Sequence, residues 1–258
     1  MRLTVIGCAG SVAGPDNPAS SYVLEADADG RAWRLLLELG SGSVGPLQAV
    51  VDPTELDGVL ISHGHPDHCA DLASLSVLFR YGPTQGTDLP PLPLWGPEGI
   101  DERVRQVEGA TDDAGLEPFA WRAMAPGETR ELGPFTITAA RAWHPVPALA
   151  YRIEGPAEVG GRATLVFTGD TDLSDEVVEV AAGADLLLAE AGWAHRDINP
   201  PGIHLTGRQA GELARRAGVN RLVVTHVPSW VDPAPTLAQA RAEHPDAQLA
   251  TRGVIFTV

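Results

Sequence analysis

The 258-residue chain contains no lysine: all 18 basic residues are arginine, set against 34 Asp and Glu, for a formal charge of −16. Without lysine, phosphate binding by a P-loop and Schiff-base catalysis are excluded. The acidic balance also argues against a dedicated polyanion binder, because neutralising many phosphates takes a basic surface. Cysteine is nearly missing too. Cys8 and Cys69 are too few for a disulfide framework, so a reducing cytoplasm is the expected compartment. No apolar run approaches the roughly 20 residues of a membrane span, and no signal-peptide pattern precedes the strand-like run from Leu3. No internal repeat appears. Abundant Ala, Arg, Gly and Pro beside absent Lys fits a GC-rich bacterial genome, which is composition rather than mechanism.

What is present is enough for a sizeable core, with 44% apolar residues. One domain spanning 1–258 is expected, with halves of about 1–130 and 131–258 that echo each other and a seam near 126–133. Apolar runs and turn residues predict strands over 3–7, 21–26, 33–39, 59–62, 119–124, 135–141, 149–153, 165–168, 185–189, 222–225 and 253–258. Helices are expected over 71–81, 98–108, 174–182, 206–217 and 236–243. The helix from Thr206 carries the best signals: Thr206 and Gln209 make a capping-box pattern, and Gly218 closes it. Residues 82–97, rich in Pro and Gly, read as a loop. Residues 101–117 read as an acidic, solvated helix and turn.

Chemistry concentrates at His63-Gly-His65-Pro-Asp67-His68, then His144, Asp170 and His226. Three of these pieces follow buried-strand patterns that each end in Ser or Thr, and open α/β architectures place their sites at such strand ends. Residues two apart diverge on a helix, so His63 and His65 converge on one ion only from a tight loop. Two divalent ions with room for water need about seven or eight imidazole and carboxylate donors, which this set supplies.

The order His-x-His-x-Asp-His, lone His, Gly-Asp and Thr-His resembles the metallo-β-lactamase superfamily over nearly the whole chain. The resemblance implies an αββα sandwich of the α/β (α+β) class, with a dinuclear site at one edge of its two sheets. It also implies one ion on His63, His65 and His144, another on Asp67, His68 and His226, and Asp170 bridging them. Zinc is the expected metal, although His/Asp donors also accept Mn or Fe. Lactamases of the familiar type carry Cys where this chain has Asp170, so Cys69 reads as a buried thiol. Only 32 residues follow His226, too few for the helical domain of glyoxalase-II-like members.

Within the superfamily, Asp185-Leu-Leu-Leu-Ala-Glu190-Ala191 and Gly202-Ile-His204-Leu-Thr206 resemble motifs of the tRNA 3′-processing nucleases (RNase Z), as does the opening from Gly7 to Ser21. There the extra histidine is the general acid and the glutamate orients it. The resemblance assigns those roles to His204 and Glu190. The bacterial-type nuclease also carries a tRNA-grasping arm before the bridging Asp. Here only 25 residues, without a basic cluster, separate His144 from Asp170. Gly14-Pro-Asp-Asn-Pro-Ala-Ser20 resembles a loop of the actinobacterial cyclic-nucleotide phosphodiesterases of this superfamily. In that branch dimerisation is common.

The expected activity is therefore hydrolysis of a small phosphodiester, with 3′,5′-cyclic nucleotides favoured and no nucleic-acid or membrane partner. An RNase Z-like nuclease is the alternative, and a lactone, ester, sulfate or thioester hydrolase would share the metal core. Two dications set against Asp67, Asp170 and one hydroxide leave a net charge of about +1, which suits a phosphodiester monoanion. Asp67 would orient the attacking hydroxide, and His204 would protonate the departing ribose oxygen. Plainer roles stand beside these. His204 would otherwise be a loop residue before a helix. Glu190, ending an apolar strand, would in either case need a partner. His195 and His244 read as surface residues. Trp193 and Trp230 would stack a base or pack at a pocket rim, and the 7–14 loop would bind phosphate or simply turn.

Overall fold

A computed structural model describes residues 1–83, 85–109, 113–194 and 199–258. His195 lies outside the described residues. Two seven-stranded sheets face each other. The first runs in the order Ile255–Thr257, Arg2–Gly7, Ser21–Ala28, Arg31–Leu37, Gly58–Leu60, Leu92–Gly96, Phe119–Ala123. The second runs Thr129–Leu132, Phe135–Arg141, Leu149–Pro156, Arg162–Phe167, Leu186–Glu190, Leu222–Thr225, Gln248–Leu249. Both sheets start with antiparallel pairings and turn parallel at their fourth strand. The C-terminal strand crosses back to pair with Arg2–Gly7, so the first sheet contains both ends of the chain.

Alternation within the strands explains the layering. Leu35 and Leu37 point between the sheets, beside Leu24, Ile137, Ile153, Leu165 and Phe167, whereas Leu36 points outward. Parallel strands covered on both faces read as near-continuous apolar runs, as Leu186–Glu190 and Leu222–Thr225 do. Outside the first sheet, helices Leu72–Tyr81 and Ile100–Glu108 pack onto Leu36, Val59 and Leu94. Outside the second, helices Asp175–Ala181, Gly207–Ala217 and Pro233–Glu243 pack onto Val166, Leu187 and Val224. The result is the four-layer αββα sandwich. The Thr206 capping box forms in both directions, and Gly218 closes that helix at φ +63°.

Three readings need correction. Residues 82–97 are not all loop. Leu92–Gly96 is a central parallel strand between Gly58–Leu60 and Phe119–Ala123. Pro90, Pro91 and Pro93 hid it, because a proline cannot donate to a ladder. The described residues of 101–117 are only partly solvated, since Val104 and Leu116 are buried in the outer core. The expected strand over 33–39 stops at Leu37. Glu38 then turns into the left-handed region at φ +62°.

Candidate metal centre

Four site residues leave the C-terminal side of parallel strands. His63 follows Gly58–Leu60, Asp170 follows Arg162–Phe167, Glu190 ends Leu186–Glu190 and His226 follows Leu222–Thr225. After His65 the chain starts the short helix Pro66–Cys69, which carries Asp67 and His68. Pro66 suits a first helical turn, where its missing N–H costs nothing. The sheets are joined at this point: Leu149 N–H donates to the Ser62 carbonyl at 2.9 Å. His144 comes from the loop just before Leu149, and His204 from the loop leading into Gly207–Ala217.

All nine expected site residues converge. In a first group, His65 Nδ1 lies 2.9 Å from His63 Nε2 and 3.2 Å from His144 Nε2, with Asp170 Oδ2 at 3.7 Å from His63. In a second, His68 Nε2 and His226 Nε2 are 3.1 Å apart. Asp67 Oδ2 is 3.1 Å from His226, and Asp170 Oδ1 is 3.3 Å from His68. Asp170 thus presents one oxygen to each group. Its Oδ1 is buried without a hydrogen-bond partner.

The outer partners set the tautomers. His68 Nδ1–H donates to Glu38 Oε2 at 3.0 Å, and His144 Nδ1–H donates to the Ile203 carbonyl at 2.8 Å. With Nδ1–H engaged there, both rings turn Nε2 inward, the atom that a neutral imidazole offers to a metal. Nitrogen lone pairs converging on each other and on an unpartnered carboxylate oxygen repel one another unless a cation sits among them. The donor set therefore fits two divalent ions, in the arrangement by which His/Asp sites hold metals such as zinc.

Burial lowers the His68 pKa, but Asp170, Asp67 and Glu38 outweigh it and hold the ring well above the usual histidine range, so this spot favours a positive charge, whether a proton or a metal ion. Burial and the neighbouring His68 charge hold His63 well below the usual histidine range. Burial likewise takes His144 down to about 4, against the pull of Asp170, so both rings are neutral at pH 7, as metal binding requires. Burial alone would raise Asp67 and Asp170, but the imidazoles around them outweigh it and hold both carboxylates ionised.

His204 sits at the side of this cluster. Its Nδ1–H donates to Glu190 Oε1 at 2.9 Å. Glu190 is fully engaged, accepting also from Thr171 N–H at 2.9 Å and Gly192 N–H at 2.6 Å. Burial lowers the His204 pKa, but the Glu190 charge outweighs it and pushes the imidazole up to about 9. Trp193 meets the His204 ring edge-on at 5.4 Å, while Trp230 is 66% exposed. Cys69 is buried and donates to the His65 carbonyl, and burial pushes its thiol up to about 12, so it is no ligand. The 7–14 loop spends an N–H on the site itself: Ser11, at φ +62°, donates to Asp67 Oδ2 at 2.9 Å. That N–H is not free for a substrate phosphate.

The sequence analysis missed Glu38 and Asp172. Glu38 Oε1 also accepts from Ser62 N–H at 2.6 Å, so one buried carboxylate steadies both ligand groups. The signal was there, since Glu38 interrupts an apolar run just as Glu190 ends one. Ser11, Glu38 and His226 all hold left-handed backbone at the site. Each departure costs an L-residue roughly 1–2 kcal/mol.

Residues 37–227 match the family of the β-lactamase superfamily domain. A Mycobacterium tuberculosis protein is 39% identical over 249 residues, covering 94% of this chain and 86% of that one. The metallo-β-lactamase-fold protein YhfI of Bacillus subtilis is 31% identical over 231 residues, 89% of this chain and 88% of YhfI. Its crystal structure superposes with a TM-score of 0.83 over 100% of this chain and 99% of that one. A ribonuclease Z of Brevibacillus brevis is 29% identical over 276 residues, 86% of this chain and 85% of that one. The chain belongs to the metallo-β-lactamase superfamily, and it is a hydrolase.

Proposed function

We propose that the protein is a cytoplasmic dinuclear phosphodiesterase whose substrates are 3′,5′-cyclic nucleotides. The observation that carries this reading is the His204–Glu190 pair beside the two ligand groups. Ions held by His63, His65 and His144 and by Asp67, His68 and His226, with Asp170 between them, would act as Lewis acids and bring a water's pKa toward neutrality. An imidazolium held by a carboxylate beside such a centre can protonate a departing alkoxide, as the expulsion of a ribose oxygen from phosphorus requires. The net charge of about +1 at the centre is what favours a phosphodiester monoanion over a neutral ester or lactone. Glu190 fixes Nδ1–H, which leaves Nε2–H of His204 to be donated. Ser11 N–H fixes Asp67 Oδ2, which would leave the other carboxylate oxygen to orient the attacking oxygen.

A small substrate fits the surroundings. A cavity of about 650 Å³ opens beside His144, lined by Met124, Arg141, Val146 and Pro147 among others. That is within the usual range for small-molecule sites. Residues between His144 and Asp170 form a plain antiparallel hairpin of Leu149–Pro156 and Arg162–Phe167, which leaves no projecting arm for tRNA. Among the described residues no helix is long and apolar enough to cross a membrane. The second reading, an RNase Z-like nuclease, is favoured by the likeness to the Brevibacillus brevis ribonuclease Z along most of its length.

The deciding assay offers cAMP, cGMP and a precursor tRNA with a 3′ trailer to zinc-loaded and manganese-loaded protein. Cyclic-nucleotide turnover that vanishes in Asp170→Ala, together with intact tRNA, is the expected result. Cut tRNA beside untouched cyclic nucleotides would transfer the function to the nuclease reading.

A further inference from the structure

His204 arrives on residues 199–205, a segment with two prolines and a glycine and no ladder of its own. Something outside it must hold it still. Asp172, 8% exposed and two residues past Asp170, does so from both sides of His204. Its Oδ2 accepts from Gly202 N–H at 2.7 Å, and its Oδ1 accepts from Gln209 Nε2 at 3.1 Å and Leu173 N–H at 2.7 Å. Gln209 passes the hold back toward His204, since its Oε1 accepts from Thr206 N–H at 2.9 Å. Gly202 sits at φ +74°, and a Cβ there would lie 2.6 Å from Trp143 Nε1, so the indole closes the other wall. Asp172 N–H in turn donates to the Trp143 carbonyl at 2.9 Å.

We propose that Asp172 is the positioning residue for His204, clamping the segment that carries the proton donor rather than serving the metal groups. Three N–H donors on two oxygens require a group that only accepts. An asparagine offers one oxygen and turns an NH₂ against one of those donors. Three of its lone-pair sites are taken, and Asp172 belongs to none of the groups placed to hold an ion. The proposal rests on the reading of His204 as general acid, and the leaving group separates the two.

The test compares wild type, Asp172→Asn and His204→Ala, each with its zinc content measured. One substrate expels a ribose alkoxide: cyclic AMP, or an RNA diester if cyclic AMP is left intact. The other is bis(4-nitrophenyl) phosphate, whose 4-nitrophenolate departs without a proton. Loss of a positioned acid costs roughly 10²–10⁴-fold, and only where the leaving group needs the proton. Asp172→Asn is expected to lower kcat at least about 10-fold on the ribose ester and less than about 3-fold on the nitrophenyl ester, at unchanged zinc content. A merely structural residue would depress both substrates alike. Equal losses in Asp172→Asn beside a selective loss in His204→Ala would overturn the clamp and leave the acid standing. Equal losses in His204→Ala would overturn the acid and the clamp with it. If Asp172→Asn does not fold, Gln209→Met removes one arm of the hold. A selective partial loss in that variant supports the clamp, and an unselective one refutes it.

Discussion

Replacing Glu38 with glutamine should weaken metal binding without unfolding the protein. Glu38 is fully buried, and its two oxygens accept from Ser62 N–H at 2.6 Å and from His68 Nδ1–H at 3.0 Å. Glutamine keeps the size and one acceptor, but its other end must donate. If the NH₂ faces Ser62, two N–H groups collide. If it faces His68, Nδ1 must accept, the proton moves to Nε2, and an N–H points where the second group needs a lone pair. Removing such an outer partner typically costs 10–100-fold in metal affinity, or about 1.4–2.8 kcal/mol. By linkage, the stabilisation conferred by bound zinc falls by the same amount at saturating metal. The apoprotein behaves differently. Burial raises the Glu38 pKa against the pull of His68, so its charge is costly to keep inside, and a neutral amide offsets part of the lost hydrogen bonding. Zinc competition with a chromophoric chelator, beside thermal denaturation with and without EDTA, reads both quantities. Unchanged zinc affinity would refute the reasoning. So would an apoprotein destabilised as much as the holoprotein, which would make Glu38 a strut of the core.

Gly10→Ala places a Cβ 2.2 Å from the His226 carbonyl, so the Ala9–Gly10 and Val227–Pro228 pairing must open and His226 must move. Displacement on the scale of 1 Å costs about 10²-fold in activity, and elemental analysis should show loss from the Asp67–His68–His226 group; full activity would mean that the backbone there yields freely. Ser174→Ala removes the side chain that accepts from Val177 N–H at the start of Asp175–Ala181, away from the site. It should cost about 1 kcal/mol in denaturant unfolding with kcat unchanged, and a change in kcat would reveal coupling from that helix to the centre.

The residues legible in the sequence are those whose chemistry dictates both type and spacing. Two ions require imidazoles and carboxylates delivered from strand ends, so His63, His65, Asp67, His68, His144, Asp170 and His226 announce themselves together, and the structure brings all seven into two groups. Strand Leu92–Gly96 left no such mark, because its identity depends on having Gly58–Leu60 and Phe119–Ala123 on either side. Glu38 lies between these cases. A carboxylate inside Leu35-Leu36-Leu37-Glu38-Leu39 is too costly to bury alone, and that cost was readable from the run itself. Its partners were not, since Ser62 and His68 lie 24 and 30 residues away and carry no spacing signature toward it. Asp172 is harder still, for it follows Asp170 within a loop, and a carboxylate there is ordinarily solvated. Only the approach of Gly202, 30 residues on, makes it a clamp. The groups that grip the chemistry from behind are thus flagged in a sequence only where burial makes an isolated charge untenable.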